Sequence, residues 1–340
     1  MGASKASANV PGDPAQVASP PKDELTTEGQ HAASQPEPPT PPLAEVEEEY
    51  GNDSAYAESI TNSTASLSAS ILECRTLHGR TYHSGRGEGQ SCHHSSTLMQ
   101  DGKLYLADLR DTVEKVLDVG CGTEQHPESE VIGLDISPQQ PHWIPVNLKF
   151  EVDDITQPWT YDPNTFDYIH MRWLVGSITD WTLLYKEIFT ALKPGGIFEH
   201  KESSCDIRSD NGTVGRDTAL ALWGTVFLEA GVKVKRTFAV VEDDIQVKAM
   251  EAAVFVDVQV TNMRVPIGGW PSDEKDKTIG KYAQLAVQRD VEGFVTFMWS
   301  SVMGWSKEEI AVYAAHLRGE LNSGKFHAWC PMKVVIGRKP

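Results

Sequence analysis

The chain has 340 residues, 40% of them hydrophobic, and a formal net charge of −18 from 30 basic and 48 acidic residues. No apolar run reaches the roughly 18–20 residues that cross a bilayer, and the first residues lack the apolar core of a secretory signal, so we expect a soluble protein of the cytoplasm or nucleus with no membrane partner. The acidic balance, without a long cluster of lysine and arginine, argues against direct binding of nucleic acid.

Residues 1–52 form the first predicted region, an acidic and proline-rich tail. Nine of the 20 prolines fall within the first 50 positions, and positions 1–70 hold 11 acidic and 2 basic residues. Such a segment has too few large apolar side chains to offset its chain entropy, so we expect disorder. The composition favours a solvating tail over a docking motif for a protein partner, although both interpretations fit.

Residues 53–112 are predicted to form a helical cap, because Tyr56, Ile60 and Leu67 fall at roughly helical spacing and Gly102 is placed to end a further helix. The cysteines are odd in number and scattered, as expected in a reducing compartment: Cys74, Cys92, Cys121, Cys205 and Cys330. Two histidines follow Cys92, but a zinc site needs four ligands at defined spacings, so no metal site is predicted.

A buried strand followed by a glycine turn opens the domain predicted for residues 113–340. The run Val116–Val119 is short and apolar, which is typical of a strand buried on both faces of a parallel sheet. Gly120 and Gly122 have no Cβ, so the backbone there can turn sharply and lie against a ligand. In a doubly wound sheet, ligands bind outside the carboxyl ends of the strands, which is where these glycines would be.

The next strand ends at Asp135, whose carboxylate can accept two hydrogen bonds from a ribose diol. A nicotinamide-binding turn would need a third glycine where Gln125 stands, so an oxidoreductase is disfavoured. The glycine turn that binds S-adenosylmethionine has an acidic residue within the first strand, followed by Gly-x-Gly. Asp118–Gly122 fits this pattern. We therefore expect S-adenosyl-L-methionine as the cofactor.

Further strands alternate with helices along the rest of the chain. The predicted strands lie at 146–154, 164–171, 197–200, 255–265 and 333–337. The predicted helices lie at 180–192, 216–230, 243–253 and within a helical insert at 272–322, where Ser306 and Glu309 form a capping box. This alternation of strands and helices predicts an α/β fold with a doubly wound, mostly parallel sheet.

With these residues in view, the chain resembles the fungal LaeA-like, S-adenosylmethionine-dependent methyltransferases from about residue 75 to its end. Four blocks carry the resemblance: 116–123; 130–143 with 150–159; 166–181 with 192–196; and 303–309 with 327–340. The resemblance implies the class I methyltransferase fold, which is Rossmann-like and whose last strand runs antiparallel to the others.

The resemblance also implies a set of cofactor-binding residues. The turn Asp118–Gly122, which includes Gly120 and Cys121, would lie against the methionine part of the cofactor. Asp135, with Ile136 beside it, would hold the ribose.

Further members of this implied set come from other parts of the chain. Asp153 or Asp154 would accept a hydrogen bond from the adenine amino group, and His170 and Arg172 would line the pocket at the end of the fourth strand. Tyr82 resembles a residue of an amino-terminal block that covers the cofactor. Two alternatives stay open, since Asp153 also suits a cap and Arg172 a surface ion pair.

Methyl transfer displaces a good leaving group, so positioning and exclusion of water can supply most of its acceleration. If the acceptor is a hydroxyl or an amine, a base would help, and His200 and Glu202 at the end of the fifth strand are the predicted catalytic candidates. For His83 and His200, a structural role is favoured over that of a base. Four tryptophans are expected in the core rather than in a cage around the substrate, although one of them could serve both roles: Trp143, Trp159, Trp173 and Trp181.

One segment departs from the family pattern. Only Thr123–Ser129 separates the glycine turn from the second strand, and Pro127 cannot sit inside a helix. A parallel crossover usually needs roughly 10–12 residues, so we predict a shortened crossover without its helix and weaker binding of the cofactor. Natural divergence of the site and loss of coding sequence both remain as explanations.

Together these observations predict a methyltransferase acting on a small-molecule acceptor of secondary metabolism. The alternative, from the same resemblance, is a LaeA-like regulator with weak or absent catalysis that acts through protein partners bound by its tail at 1–52. The tail suits the regulator because such segments dock partners.

Overall fold

A computed structural model describes residues 75–77, 80–82, 95–110, 112–120, 129–136 and 145–340. The tail at 1–52, the segment around Ile60, the residues next to Cys92, and the crossover at 123–128 lie outside these ranges. Within the region expected to form a helical cap, strands β1 (Arg75–Leu77) and β2 (Arg80–Tyr82) pair antiparallel. Residues 95–99 are helical.

A seven-stranded sheet forms the centre of the described chain. Its strands are β3 (Lys115–Val119), β4 (Glu130–Asp135), β5 (Leu148–Val152), β6 (Phe166–Arg172), β7 (Leu192–Ser203), β8 (Val256–Ile267) and β9 (Ala328–Arg338). Their order is β5-β4-β3-β6-β7-β9-β8. The pairs from β5 to β7 are parallel, and β9 is antiparallel to both neighbours, which confirms the predicted sheet with an antiparallel last strand.

The order of the strands locates a crevice. β3 pairs with β4 on one side and with β6 on the other, so the chain leaves β3 and β6 in opposite directions across the sheet. In open α/β sheets, such a reversal opens a space at the carboxyl ends of the strands, where ligands bind. The glycine turn after β3 lies at that point.

The helices lie close to the positions predicted along the chain. They are α1 (Trp181–Ala191), α2 (Ala219–Val234), α3 (Ile245–Ala252), α4 (Glu274–Arg289), α5 (Val291–Thr296), a π-helical turn (Phe297–Val302) and α6 (Lys307–Asn322). The predicted capping box between Ser306 and Glu309 is present at the start of α6. No helix in the described ranges is both long enough and apolar enough to cross a membrane.

Helix α1 forms where an N-cap and an apolar stripe coincide. Asp180 accepts a hydrogen bond from the backbone N–H of Leu183 at 2.9 Å, which satisfies a donor that has no partner within the helix. Leu184 and Ile188 lie on the face buried in the main apolar cluster, with Phe198 of β7. Burial of each such side chain contributes about 1.5–3 kcal/mol, so packing against the sheet fixes the helix.

Strand β7 begins earlier than the sequence predicted. The helix predicted at 180–192 and the strand predicted at 197–200 leave residues 193–196 as a connection, yet the strand starts at Leu192 and changes register beside Phe166. Gly195 has φ +77°, and a Cβ on Gly196 would lie 2.8 Å from the carbonyl oxygen of Lys193. The two glycines therefore allow an irregular strand at this position and do not interrupt it with a turn.

We predict different costs for two alanine substitutions. Gly176 and Gly212 have nearly equal φ, +74° and +73°, but a Cβ on Gly176 would lie 2.1 Å from Phe238 Cζ, whereas nothing lies within 4 Å of one on Gly212. Gly212→Ala should lower the free energy of unfolding by about 1 kcal/mol because the left-handed conformation disfavours a side chain. Gly176→Ala should cost about 1–3 kcal/mol more because of overpacking.

Urea denaturation of the two variants and the parent chain measures this difference. Equal losses of stability would contradict the close packing of Phe238 on Gly176.

Candidate functional site

The carboxyl ends of β3, β4 and β5 are joined by hydrogen bonds between their backbones. The N–H of Gly120 donates to Leu134 O at 2.8 Å, and the N–H of Asp153 donates to Asp135 O at 3.1 Å. These bonds bring Gly120, Asp135 and Asp153 to one edge of the sheet, as their positions in the sequence predicted. We refer to this edge as the candidate cofactor edge.

Gly120 occupies a position that requires glycine. Its φ is +69°, and a Cβ would lie 2.8 Å from Leu174 Cδ2 and 3.6 Å from the carbonyl oxygen of Arg172. A side chain would therefore be strained and would collide with Leu174. The bare backbone at this turn can lie against a ligand.

Asp135 and Ile136 follow one another at the end of β4. Asp135 is half-buried, and Ile136 is 38% exposed, an unusual exposure for a large aliphatic side chain. A carboxylate next to an exposed apolar side chain suits a sugar with an attached base, because it offers acceptors for hydroxyls and an apolar surface for a ring.

The two acids after β5 have different surroundings. Asp154 Oδ1 accepts hydrogen bonds from the N–H and the hydroxyl of Thr156, at 2.9 and 2.7 Å, so Asp154 caps the turn. Asp153 Oδ1 accepts from the N–H of Asp154 at 2.8 Å. Among the described residues no hydrogen bond involves Asp153 Oδ2, and Asp153 is therefore the stronger candidate for binding an amino group.

Asp118 and His170 form a buried pair across β3 and β6. His170 Nδ1 lies 2.9 Å from Asp118 Oδ1, and the residues are 1% and 4% exposed. They lie side by side in the strand ladder. His170 was predicted to line the pocket, and its pairing with Asp118 connects β3 and β6, the strands at whose ends the pocket is expected.

Arg172 is the last residue of β6, and Trp173 follows it. Arg172 is only 9% exposed, which does not fit the alternative of a surface ion pair. Trp173 was expected in the core, and this prediction is wrong, because it is 38% exposed with φ +55°. A bulky residue in this conformation costs about 1–3 kcal/mol, and such strain is found mainly at functional sites.

The two predicted catalytic residues lie inside the protein. His200 and Glu202 are both 0% exposed, on the face of β7 that packs against α1. His200 Nδ1 lies 2.5 Å from the Tyr185 hydroxyl, and His200 Nε2 lies 3.0 Å from Glu202 Oε1. Both ring nitrogens are engaged, an arrangement that favours the structural role for His200.

Glu202 also binds the chain that leaves β6. Its Oε1 accepts a hydrogen bond from the backbone N–H of Leu174 at 2.7 Å, while its buried Oε2 has no hydrogen-bond partner among the described residues. Sequence reasoning missed both Leu174 and Tyr185. Tyr185 follows Trp181 by four positions, so a helical wheel would place it on the face toward β7; Leu174 gives no comparable signal.

Several predicted features remain outside the described residues. Cys121 and Gly122 are among them, as are His83, Trp143 and the side chain of Tyr82. Among the described residues no group of three histidine, cysteine or acidic side chains could hold a metal ion. Two clefts, of about 840 and 660 Å³, lie along α6 and at the start of α1, and no residue of the candidate cofactor edge lines them.

Cys205 and Cys330 are free thiols in the described part of the chain. Each keeps some exposed surface, but both belong to an apolar cluster. Burial, with a smaller contribution from the Glu202 carboxylate, raises the pKa of the Cys205 thiol well above its ordinary value, and burial raises the pKa of Cys330 to about 11. Since the thiolate is the reactive form, both thiols should be poor nucleophiles near neutral pH.

The chain is similar to several known proteins. Residues 92–233 match the family described as "Methyltransferase domain". The chain is 31% identical to methyltransferase pytC of Aspergillus terreus, covering 82% of this chain and 92% of that protein. It is 34% identical to the secondary metabolism regulator LAE1 of Cochliobolus heterostrophus, covering 73% and 85%. It is 32% identical to the probable methyltransferase tdiE of Emericella nidulans, covering 72% and 78%.

We predict slow alkylation of Cys330 and Cys205 in the folded protein. At pH 8, a pKa of about 11 for Cys330 leaves about a thousandth of the thiol ionised, so iodoacetamide should modify it at least about 100-fold more slowly than in urea. The rate should rise about tenfold per pH unit between pH 8 and 10 because the thiolate fraction rises in that proportion. Mass spectrometry of the peptides quantifies each cysteine, and equal rates with and without urea would contradict the burial.

Proposed function

The chain belongs to the S-adenosylmethionine-dependent methyltransferases related to pytC and LAE1, and from this premise we propose that it methylates a small organic molecule with the cofactor bound at the candidate cofactor edge. The observation that carries the proposal is a pair of backbone hydrogen bonds, from Gly120 to Leu134 and from Asp153 to Asp135, which brings Gly120, Asp135 and Asp153 together at the carboxyl ends of adjacent parallel strands. S-adenosylmethionine would supply an activated methyl group on a sulfonium.

The residues at this edge fit the parts of that cofactor. The bare backbone at Gly120 suits close approach of the methionine end, and the half-buried carboxylate of Asp135 suits the two ribose hydroxyls. Asp153 Oδ2 suits the adenine amino group, and the exposed side chain of Ile136 suits the adenine ring. Acidic side chains near a sulfonium also match it in charge.

The protein's part in the reaction is mainly to orient the reactants and to exclude water. The buried pair of Asp118 and His170 supports this role by fixing β3 and β6 relative to each other. Of the two predicted bases, Glu202 retains an oxygen without a described hydrogen-bond partner, but that oxygen is buried. The geometry therefore favours a transfer that depends on positioning over one that depends on a base.

The predicted loss of binding in Asp135→Ala tests the assignment of the cofactor. Titration calorimetry of the full chain with S-adenosylmethionine and S-adenosylhomocysteine should show binding, and Asp135→Ala should weaken it about 10- to 100-fold because hydrogen bonds to a charged group are lost. Asp162→Ala is the matched control, since Asp162 is an exposed aspartate outside the edge, and it should bind as the parent does.

Absence of binding by the folded parent chain would refute the proposal. Equal binding by the parent and Asp135→Ala would refute the placement of the ribose.

A regulator that acts through protein partners is the second candidate function, favoured by the similarity to LAE1, which is named a secondary metabolism regulator. The acidic composition of residues 1–50 suits a partner with a basic surface. Deletion of residues 1–50 separates the candidates. A regulator should lose its effect on metabolite production in the source organism while calorimetry shows unchanged cofactor binding, whereas a small-molecule methyltransferase should keep both.

The fate of the methyl group gives an independent distinction. After incubation of a cell extract with the protein and S-adenosylmethionine carrying a tritiated methyl group, label in the solvent-extractable fraction supports a small-molecule acceptor. Label confined to precipitated protein would contradict it.

A further inference from the structure

The turn that follows β6 is held by a buried carboxylate. Trp173 leaves the strand with φ +55°, and the next residue, Leu174, donates its backbone N–H to Glu202 Oε1 at 2.7 Å. The carbonyl oxygen of Leu174 then accepts from the N–H of Ser177 at 2.9 Å. Both backbone groups of Leu174 are therefore bound, and one of the two partners is a side chain of a different strand.

Glu202 is also held by residues outside this turn. His200 Nε2 lies 3.0 Å from Glu202 Oε1, and the other ring nitrogen lies 2.5 Å from the Tyr185 hydroxyl. The ring of Trp181 stacks on His200 with 5.2 Å between centroids. Since Trp181 and Tyr185 belong to α1, the position of the carboxylate is set by a packed helix and does not depend on the turn.

Leu174 connects the carboxylate to the candidate cofactor edge. The nearest described atom to a Cβ built on Gly120 is Leu174 Cδ2, at 2.8 Å. The leucine side chain thus lies directly against the backbone of the turn that ends β3. A shift of Leu174 would remove the contact that holds this turn from the side of β6.

We propose that Glu202 is a positioning residue for the cofactor-binding turn: by holding the N–H of Leu174, it keeps the leucine side chain against Gly120. This inference rests on the proposed function, because it concerns the site at which S-adenosylmethionine would bind. Glutamine at position 202 would still offer an oxygen to the N–H of Leu174. Alanine would leave that N–H without an acceptor and free the turn.

A double-mutant cycle measured by titration calorimetry with S-adenosylhomocysteine tests the inference on the full chain. Glu202→Ala and Leu174→Ala should each weaken binding about tenfold, since each releases the same turn. The double variant should also lose about tenfold rather than about a hundredfold, because residues that act through one contact are not additive. Glu202→Gln should bind within about threefold of the parent, since it keeps the acceptor oxygen.

Glu199→Ala is a matched control on the same strand. Glu199 is also 0% exposed, and its carboxylate accepts hydrogen bonds from the backbone N–H groups of Leu106 and Ala107, at 2.9 and 2.7 Å. Its side chain lies on the opposite face of β7, away from Leu174. This variant should lose stability in urea while its affinity for S-adenosylhomocysteine stays within about threefold of the parent.

Additive losses in the cycle, or parent-like binding by Glu202→Ala, would overturn the inference. If Glu202→Ala does not fold, Leu174→Ala decides alone, since unchanged binding by that variant removes the link to Gly120. Failure of the folded parent chain to bind would refute the proposed function and the inference with it. Binding by the parent with unaltered binding by both single variants would refute only the inference.

Discussion

Four consecutive ionisable side chains of β7 are buried at 0–1% exposure, and each needs a polar partner: Glu199, His200, Lys201 and Glu202. An unpaired buried charge is strongly unfavourable, so the positions of the partners are constrained as tightly as the strand itself. Those partners lie in residues 100–107, in α1 and in the turn after β6. One strand therefore fixes the amino-terminal segment on one face of the sheet, and a helix and a turn on the other.

The candidate cofactor edge depends on a second buried polar pair. Asp118 and His170 lie side by side on β3 and β6, and removal of one partner from such a pair typically costs about 3–5 kcal/mol. The apolar residues between the sheet and α1 supply most of the stability, but they have no directional preference that could fix the ends of the strands. Hydrogen bonds between side chains are directional and can fix the ends of the strands. These side chains lie next to the edge where ligands would bind.

The sequence predicted the strands and helices well wherever hydrophobic periodicity and capping residues agreed. Asp180 before an apolar stripe located α1, and the glycine turn with Asp135 located the crevice. It could not predict which face of β7 carries Glu202, since side chains alternate and a shift of one residue reverses every orientation. Nothing in the sequence indicated the left-handed conformation of Trp173 either, because the backbone N–H groups of Trp173 and Leu174 are bound by Lys201 and Glu202 of a strand distant in the chain.

The place of β9 in the sheet affects the order in which the protein can fold during synthesis. In the described sheet β8 pairs only with β9, and the helices α4 to α6 separate the two strands in the chain. At roughly 5–20 residues per second, the ribosome leaves β8 without a strand partner for several seconds. A nascent chain with an exposed strand edge is open to wrong pairing, so a chaperone would matter for β8 and for the edge of β7 that later receives β9.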